Sequence, residues 1–173
     1  MRRLNNTDDW ETTERQIATI TGASSLQAVE DGKGRLWLFW IYADAIWASR
    51  RGTDDMWTSP VQVSVGSQII PKLAVLRDYL GDIWLFWAAG DQGASAPRIF
   101  NQRYRIAVDQ WDSPARFTDS PPLHFTPAVI EHNRALWVFW WHSPILPPDG
   151  GLPSGPRSPM SLQLYIRKFL PDV

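Results

Sequence analysis

One phrase, written three times, constrains this chain more than any other feature. It reads GRLWLFW at 34–40, GDIWLFW at 81–87 and RALWVFW at 134–140. Leu36 and Ile83 stand 47 residues apart, and Ile83 and Leu136 stand 53 apart. Periods near that length belong to propeller blades or to helical solenoids. The local pattern decides for sheet. LWLFW is short, aromatic-rich and apolar at every position, as a strand covered on both faces requires. Alternation puts Leu36, Leu38 and Trp40 on one face, and Trp37 and Phe39 on the other. Helical repeats need Ala, Leu, Glu and Lys at helical spacing, which this chain lacks. Its 14 Pro and 11 Gly also leave little room for long helices.

Other segments recur in step. LQAVEDGKG (26–34), LAVLRDYLG (73–81) and PAVIEHNR (127–134) precede the phrase and read as strand and turn. AIWASRR (45–51), RIFNQRYR (98–105) and LYIRKF (164–169) follow it as a third strand. A fourth strand is announced by Trp in WETTERQIATI (10–20), WTSPVQVSV (57–65) and WDSPARFT (111–118). The expectation is an all-β chain forming one domain over 1–173. It holds three four-stranded antiparallel units, about 10–56, 57–110 and 111–173, which are blades of a β-propeller. With strands lettered a to d from the centre outward, the chain order is d-a-b-c and the phrase is strand b.

The stretch SRRGTDDMWTSPVQVS (49–64) resembles an Asp-box hairpin of the sialidase-type propellers, where Ser-x-Asp-x-Gly-x-x-Trp closes the turn between strands c and d. The succession of an Ala-Val strand, GRLWLFW, IWASRR and W-x-S-P also resembles BNR-type repeats of bacterial propellers. The resemblance spans nearly the whole chain. It implies the fold and no particular activity, because the box is a structural turn in that family. This chain departs from it, since no copy keeps Ser, Asp and Gly together at the usual spacing. Sialidase chemistry in the family needs an Arg triad, a Tyr nucleophile activated by Glu, and an Asp acid/base. Here Glu stands only at 11, 14, 30 and 131, and Glu30 and Glu131 fall in turns rather than beside a Tyr. The expectation is a non-enzymatic protein with no catalytic residues.

Three blades do not make a ring, because closed propellers have four to eight. The chain opens with a fourth strand and ends with a third. The simplest closure is a homodimer of six blades, strand 10–20 of each copy completing the third blade of the other. The chain resembles, in this respect, short lectins that build a propeller by oligomerisation.

Composition narrows the partners. Seventeen basic and 18 acidic residues leave a net charge of −1, which favours neither nucleic acid nor an anionic membrane. There is no Cys, so there is no disulfide or thiolate metal site. MRRLNNTDDW has no apolar signal core, and the longest apolar run, LWLFWIYA at 36–43, is too short to cross a bilayer. A soluble chain is expected, in no specified compartment. His124, His132 and His142 lack the close spacing that metals favour, so neither metal nor cofactor is expected.

Carbohydrate binding is the leading functional reading, resting on 11 Trp. Aromatic faces stack on sugar rings, polar side chains bond the hydroxyls, and repeated clefts between blades add avidity. The candidate ligand-binding residues near blade edges are Asp44, Trp47, Arg50, Trp57 and Asp91 in the first part of the chain. Phe100, Arg103, Trp111, Trp141 and Tyr165 complete the set. Arg50, Arg103 and Lys168 recur on the third strands, where each is expected to pair with an acidic turn or stack on a Trp; a ring of anion or sugar contacts is the alternative reading. The b–c loops 41–44, 88–97 and 141–161 vary most and sit where recognition tends to live. The alternative function is a structural or protein-interaction propeller, one part of a larger bacterial or phage assembly.

Overall fold

A computed structural model describes residues 16–17, 19–52, 54–65, 67–90, 97–118, 123–143 and 163–171. The described chain is all-β and antiparallel, with no helix. The first sheet runs β1 (Ser24–Glu30), β2 (Leu36–Tyr42), β3 (Ala45–Arg51) and β4 (Val61–Val65), in that order. The second runs β5 (Ser67–Arg77), β6 (Ile83–Gly90), β7 (Arg98–Arg105) and β8 (Gln110–Trp111), with β9 (Ala115–Arg116) also pairing with β7. The third holds β10 (Leu123–His132), β11 (Ala135–Ser143) and β12 (Gln163–Phe169). Each sheet thus collects strands in chain order; in the first two the Trp-led fourth strand joins the three strands before it, while the third sheet shows three strands among the described residues where four were expected. The strand expected over 10–20 falls largely outside the described residues.

Turn chemistry explains the hairpins. β2 and β3 are joined by Ala43 and Asp44, at φ 49° and 56°, and β10 and β11 by Asn133 and Arg134, at 52° and 60°. Two successive left-handed residues match the twist of the strands they connect. The register slips in β5 between Ile69 and Leu73 and in β10 between Phe125 and Ala128. Each slip spans a proline, Pro71 or Pro127, which has no N–H to give the ladder. The fourth strand of the second sheet breaks into β8 and β9 around Asp112-Ser113-Pro114 for the same reason.

Two cores lie between the sheets. Trp37, Phe39 and Ile41 of β2 pack with Ile83, Leu85 and Trp87 of β6. The opposite face of β6, Trp84, Phe86 and Ala88, packs with Leu136, Val138 and Trp140 of β11. The same rule governs both junctions: the Trp/Phe face of one phrase meets the Leu/Leu/Trp-type face of the next. Burial on both faces, expected of all three phrases, holds fully for the middle one. Ile83 to Ala89 are all buried, while Leu36 is 40 % exposed and Trp137 and Phe139 are half-buried. The physical reason is position: among the described residues, only the middle sheet has a neighbouring sheet on each side.

Candidate functional site

The junction of the first two sheets is tied by its turns. Asp31 opens the β1–β2 turn and is fully buried. Its Oδ1 accepts the amides of Lys33 and Arg35 at 2.9 and 3.0 Å, and its Oδ2 accepts the Trp37 indole N–H at 2.8 Å. Asp78 repeats this in the β5–β6 turn, accepting the amides of Leu80 and Asp82 and the Trp84 indole at 2.8 Å. These aspartates fix the ring at the start of each phrase. Their spacing, an acid six residues before the Trp, is present in the sequence, although reading 26–34 and 73–81 as strand and turn does not use it.

Arg35 leaves that turn and crosses to the second sheet. Its guanidinium pairs with Asp31 at 2.7 Å and Asp109 at 2.8 Å, and donates to the Tyr104 hydroxyl at 3.0 Å. The Tyr104 hydroxyl donates in turn to Asp109. Arg50 on β3 stands directly across from Trp37, lies 5.6 Å from its ring centroid, and reaches Asp109 at 3.3 Å. Burial works against the Asp31 charge, but bonds from Trp37, Arg35 and Lys33 outweigh it and hold the carboxyl below its ordinary value. The Tyr104 bond and then Arg35 hold Asp109 well below the usual carboxylate range. Burial, followed by the bond to Asp109, pushes the Tyr104 phenol up, so it stays protonated as a donor.

Above this network lies a cleft of about 270 Å³ lined by Trp37, Ala48, Arg50, Thr58, Val61, Tyr104, Asp109 and Trp111. Trp111 closes one wall edge-on to Trp37 and Phe39, at 6.0 and 5.9 Å. The Arg50 and Asp109 side chains remain 33 % and 46 % exposed, so both keep hydrogen-bonding capacity toward a ligand. The arrangement offers the half-buried Trp111 ring, flanked by one cation, one anion and a hydroxyl, above the buried Trp37 and Tyr104.

Of the residues singled out from sequence, the structure brings Arg50 and Trp111 together here. Trp47 lines a different cleft of about 410 Å³ with Thr19, Ile20, Thr21, Trp40, Tyr42 and Pro60. Asp44 is an exposed hairpin residue, and Trp57 bridges Arg51 in the β3–β4 turn. Phe100 stacks on Trp87 at 6.0 Å and belongs to the first core. Arg103 pairs with Asp82 at 2.7 Å and lies 5.3 Å from the Trp84 ring. Trp141 and Tyr165 are exposed on the third sheet, Tyr165 stacked on Trp140 at 6.0 Å. Asp91, with loop residues 91–96 and 144–162, lies outside the described residues.

The repeated base is a cation on the phrase Trp in every sheet. Arg50, Arg103 and Lys168 each stand across from Trp37, Trp84 and Trp137, at 5.6, 5.3 and 5.7 Å from the ring. Stacking on a neighbouring Trp is the arrangement expected of these bases from the sequence. Asp109 lies in VDQW (108–111), one of the acidic turns that recur before the Trp-led strands, as in TDDW and TDDMW; Tyr104, which also lines the cleft, and Arg35, which ties the two together, were not singled out. No protein-family model matches the chain, and no curated protein matches it.

Proposed function

We propose that the three sheets are blades of a β-propeller of the BNR/Asp-box type and that the chain is a non-enzymatic, lectin-like carbohydrate-binding protein. The observation that carries this reading is the inter-sheet cleft. The half-buried Trp111 ring supplies an apolar face for the C–H side of a sugar over a floor of buried Trp37 and Tyr104, and Arg50, Asp109 and Thr58 supply donors and acceptors for its hydroxyls. In this reading two chains form a six-bladed ring, with segment 10–20 exchanged between them, and the cleft occurs once per chain between the first two blades.

A glycan array probed with labelled protein tests the reading, followed by calorimetry on the strongest sugar. Binding that weakens about tenfold in Arg50→Gln and in Trp111→Phe, with unchanged circular dichroism, supports it. An array with no signal above background contradicts it. The second reading, a structural or protein-interaction ring, is favoured by the apolar outer faces of the first and third sheets. A stoichiometric protein partner without any sugar response selects it.

A further inference from the structure

The two junctions inside the chain follow one pairing rule, and each outer sheet has one face that no other sheet packs on among the described residues. On the first sheet the remaining face carries Leu36, Leu38 and Trp40, beside Leu26 of β1. Leu26 is 66 % and Leu36 40 % exposed, Leu38 is half-buried, and Trp40, at 5 %, is already covered within the chain. On the third sheet the remaining face carries Trp137, Phe139 and Trp141. It is extended by Ile130 of β10 and by Leu164 and Ile166 of β12, which are 54 %, 62 % and 52 % exposed. One leftover face is of the Leu/Leu/Trp type and the other of the Trp/Phe type. They are the two halves of the junction that the chain already builds twice.

We propose that these two faces meet between two copies of this chain, head to tail, the third sheet of one copy on the first sheet of the other. Exposed apolar faces of this extent mark interfaces. A second copy is the occupant that presents the complementary face in the geometry already used at both internal junctions. Charge agrees with the apolar pattern at the first of these junctions, whereas at the second Arg103 pairs with Asp82 of its own sheet. At the first internal junction Arg50, lying on Trp37, reaches Asp109 of the next sheet. Asp109 stands two residues before Trp111 at φ 55°, and Asp55 stands two residues before Trp57 at φ 63°. Lys168 lies on Trp137 as Arg50 does on Trp37, so the first junction's geometry, repeated between copies, brings Lys168 of one copy toward Asp55 of the other, which within its own chain pairs with Arg51 at 2.8 Å. On the receiving face, Ile17 and Ile20 line a cleft of about 500 Å³ with Leu26, Leu38 and Trp40, open to an incoming sheet.

This inference deepens the propeller reading and rests on it for the size of the ring, while the pairing of faces stands on the two observed junctions. Its test uses two substitutions at exposed positions, Ile166→Lys on the third sheet and Leu36→Glu on the first. Native mass is read for each variant alone and for the equimolar mixture. Wild type is expected to be a dimer and each variant alone a monomer. The mixture is expected to return to a dimer, because one junction then joins two unaltered faces and the other joins the new lysine to the new glutamate. That rescue also shows that both variants fold. A dimeric Ile166→Lys variant overturns the proposal, as does a mixture that stays monomeric beside a dimeric wild type, which would mean that like faces pair. Head-to-tail rescue in assemblies longer than two copies upholds the face pairing and overturns the six-bladed ring.

Discussion

The Gly32 amide donates to the Gly81 carbonyl at 3.0 Å, across the junction of the first two sheets. The two backbones approach so closely that a Cβ on either residue would stand 2.7 Å from the other's Cα. Gly81 also holds φ at +89°. Alanine there meets both a backbone clash and a left-handed conformation, and is expected to cost roughly 3 kcal/mol. Gly34 has a similar φ, +74°, with nothing within 4 Å, so Gly34→Ala is expected to cost about 1 kcal/mol. Urea denaturation of the two variants separates contact from conformation. Equal losses would mean that the close approach does not matter.

Asp78 accepts three hydrogen bonds and is buried, so Asp78→Ala strands the Trp84 indole and two turn amides. The expected loss is about 3 kcal/mol. Glu131 occupies the same spacing before Trp137 but accepts only the Arg134 amide, at 3.1 Å, in an exposed two-residue turn. The Trp137 indole N–H has no acceptor among the described residues. Glu131→Ala is therefore expected to cost less than about 1 kcal/mol. Chemical denaturation compares the pair directly.

Acid should weaken the first junction. Asp31 and Asp109 are held below their ordinary value of 3.8 in the folded chain. Their contribution is fully present above that value and is lost as pH falls below it, toward their lower native values. Tyr104, raised above 10.0, has the opposite sense: its contribution is intact below pH 10.0 and lost as pH rises past it. Urea midpoints measured from pH 7 to 2 should fall most steeply below about pH 4. Asp109→Asn should flatten that fall while lowering stability at neutral pH. An unchanged acid profile in this variant would contradict the network.

Phe86 is buried against Trp84 and Phe117, with ring centroids at 6.2 and 5.5 Å. Truncation to alanine should cost about 4 kcal/mol. Ile166→Ala, on the exposed outer face of the third sheet, should leave the stability of an isolated chain within about 0.5 kcal/mol. Thermal melts at low protein concentration read this difference. A large loss for Ile166→Ala in a monomeric sample would place that side chain in a core of its own chain.

How much of this was legible in the sequence depends on the range of the interaction. Hairpins are local: the period-2 alternation of LWLFW, the Asp-Gly and Asn-Arg turns and the Trp-led fourth strands all lie within a few residues of what they specify. The junction rule was half legible, since alternation sorted Leu36, Leu38 and Trp40 from Trp37 and Phe39. Which face meets which neighbour needed the sheets in place. The cleft was hardly legible. Arg50 and Trp111 repeat and drew notice, but Arg35 and Asp109 are separated by 74 residues and share no motif. Phe100 and Arg103 looked equivalent to Trp47 and Arg50. In the fold both are occupied from within their own sheet, Phe100 by Trp87 directly across from it and Arg103 by Asp82 of the β5–β6 turn.

The paired end faces are the central claim, and native mass is its most direct test. Light scattering on a sizing column should give twice 19.8 kDa for the wild-type chain. A mass of 19.8 kDa at micromolar concentration would leave both outer faces uncovered in solution and would contradict the account.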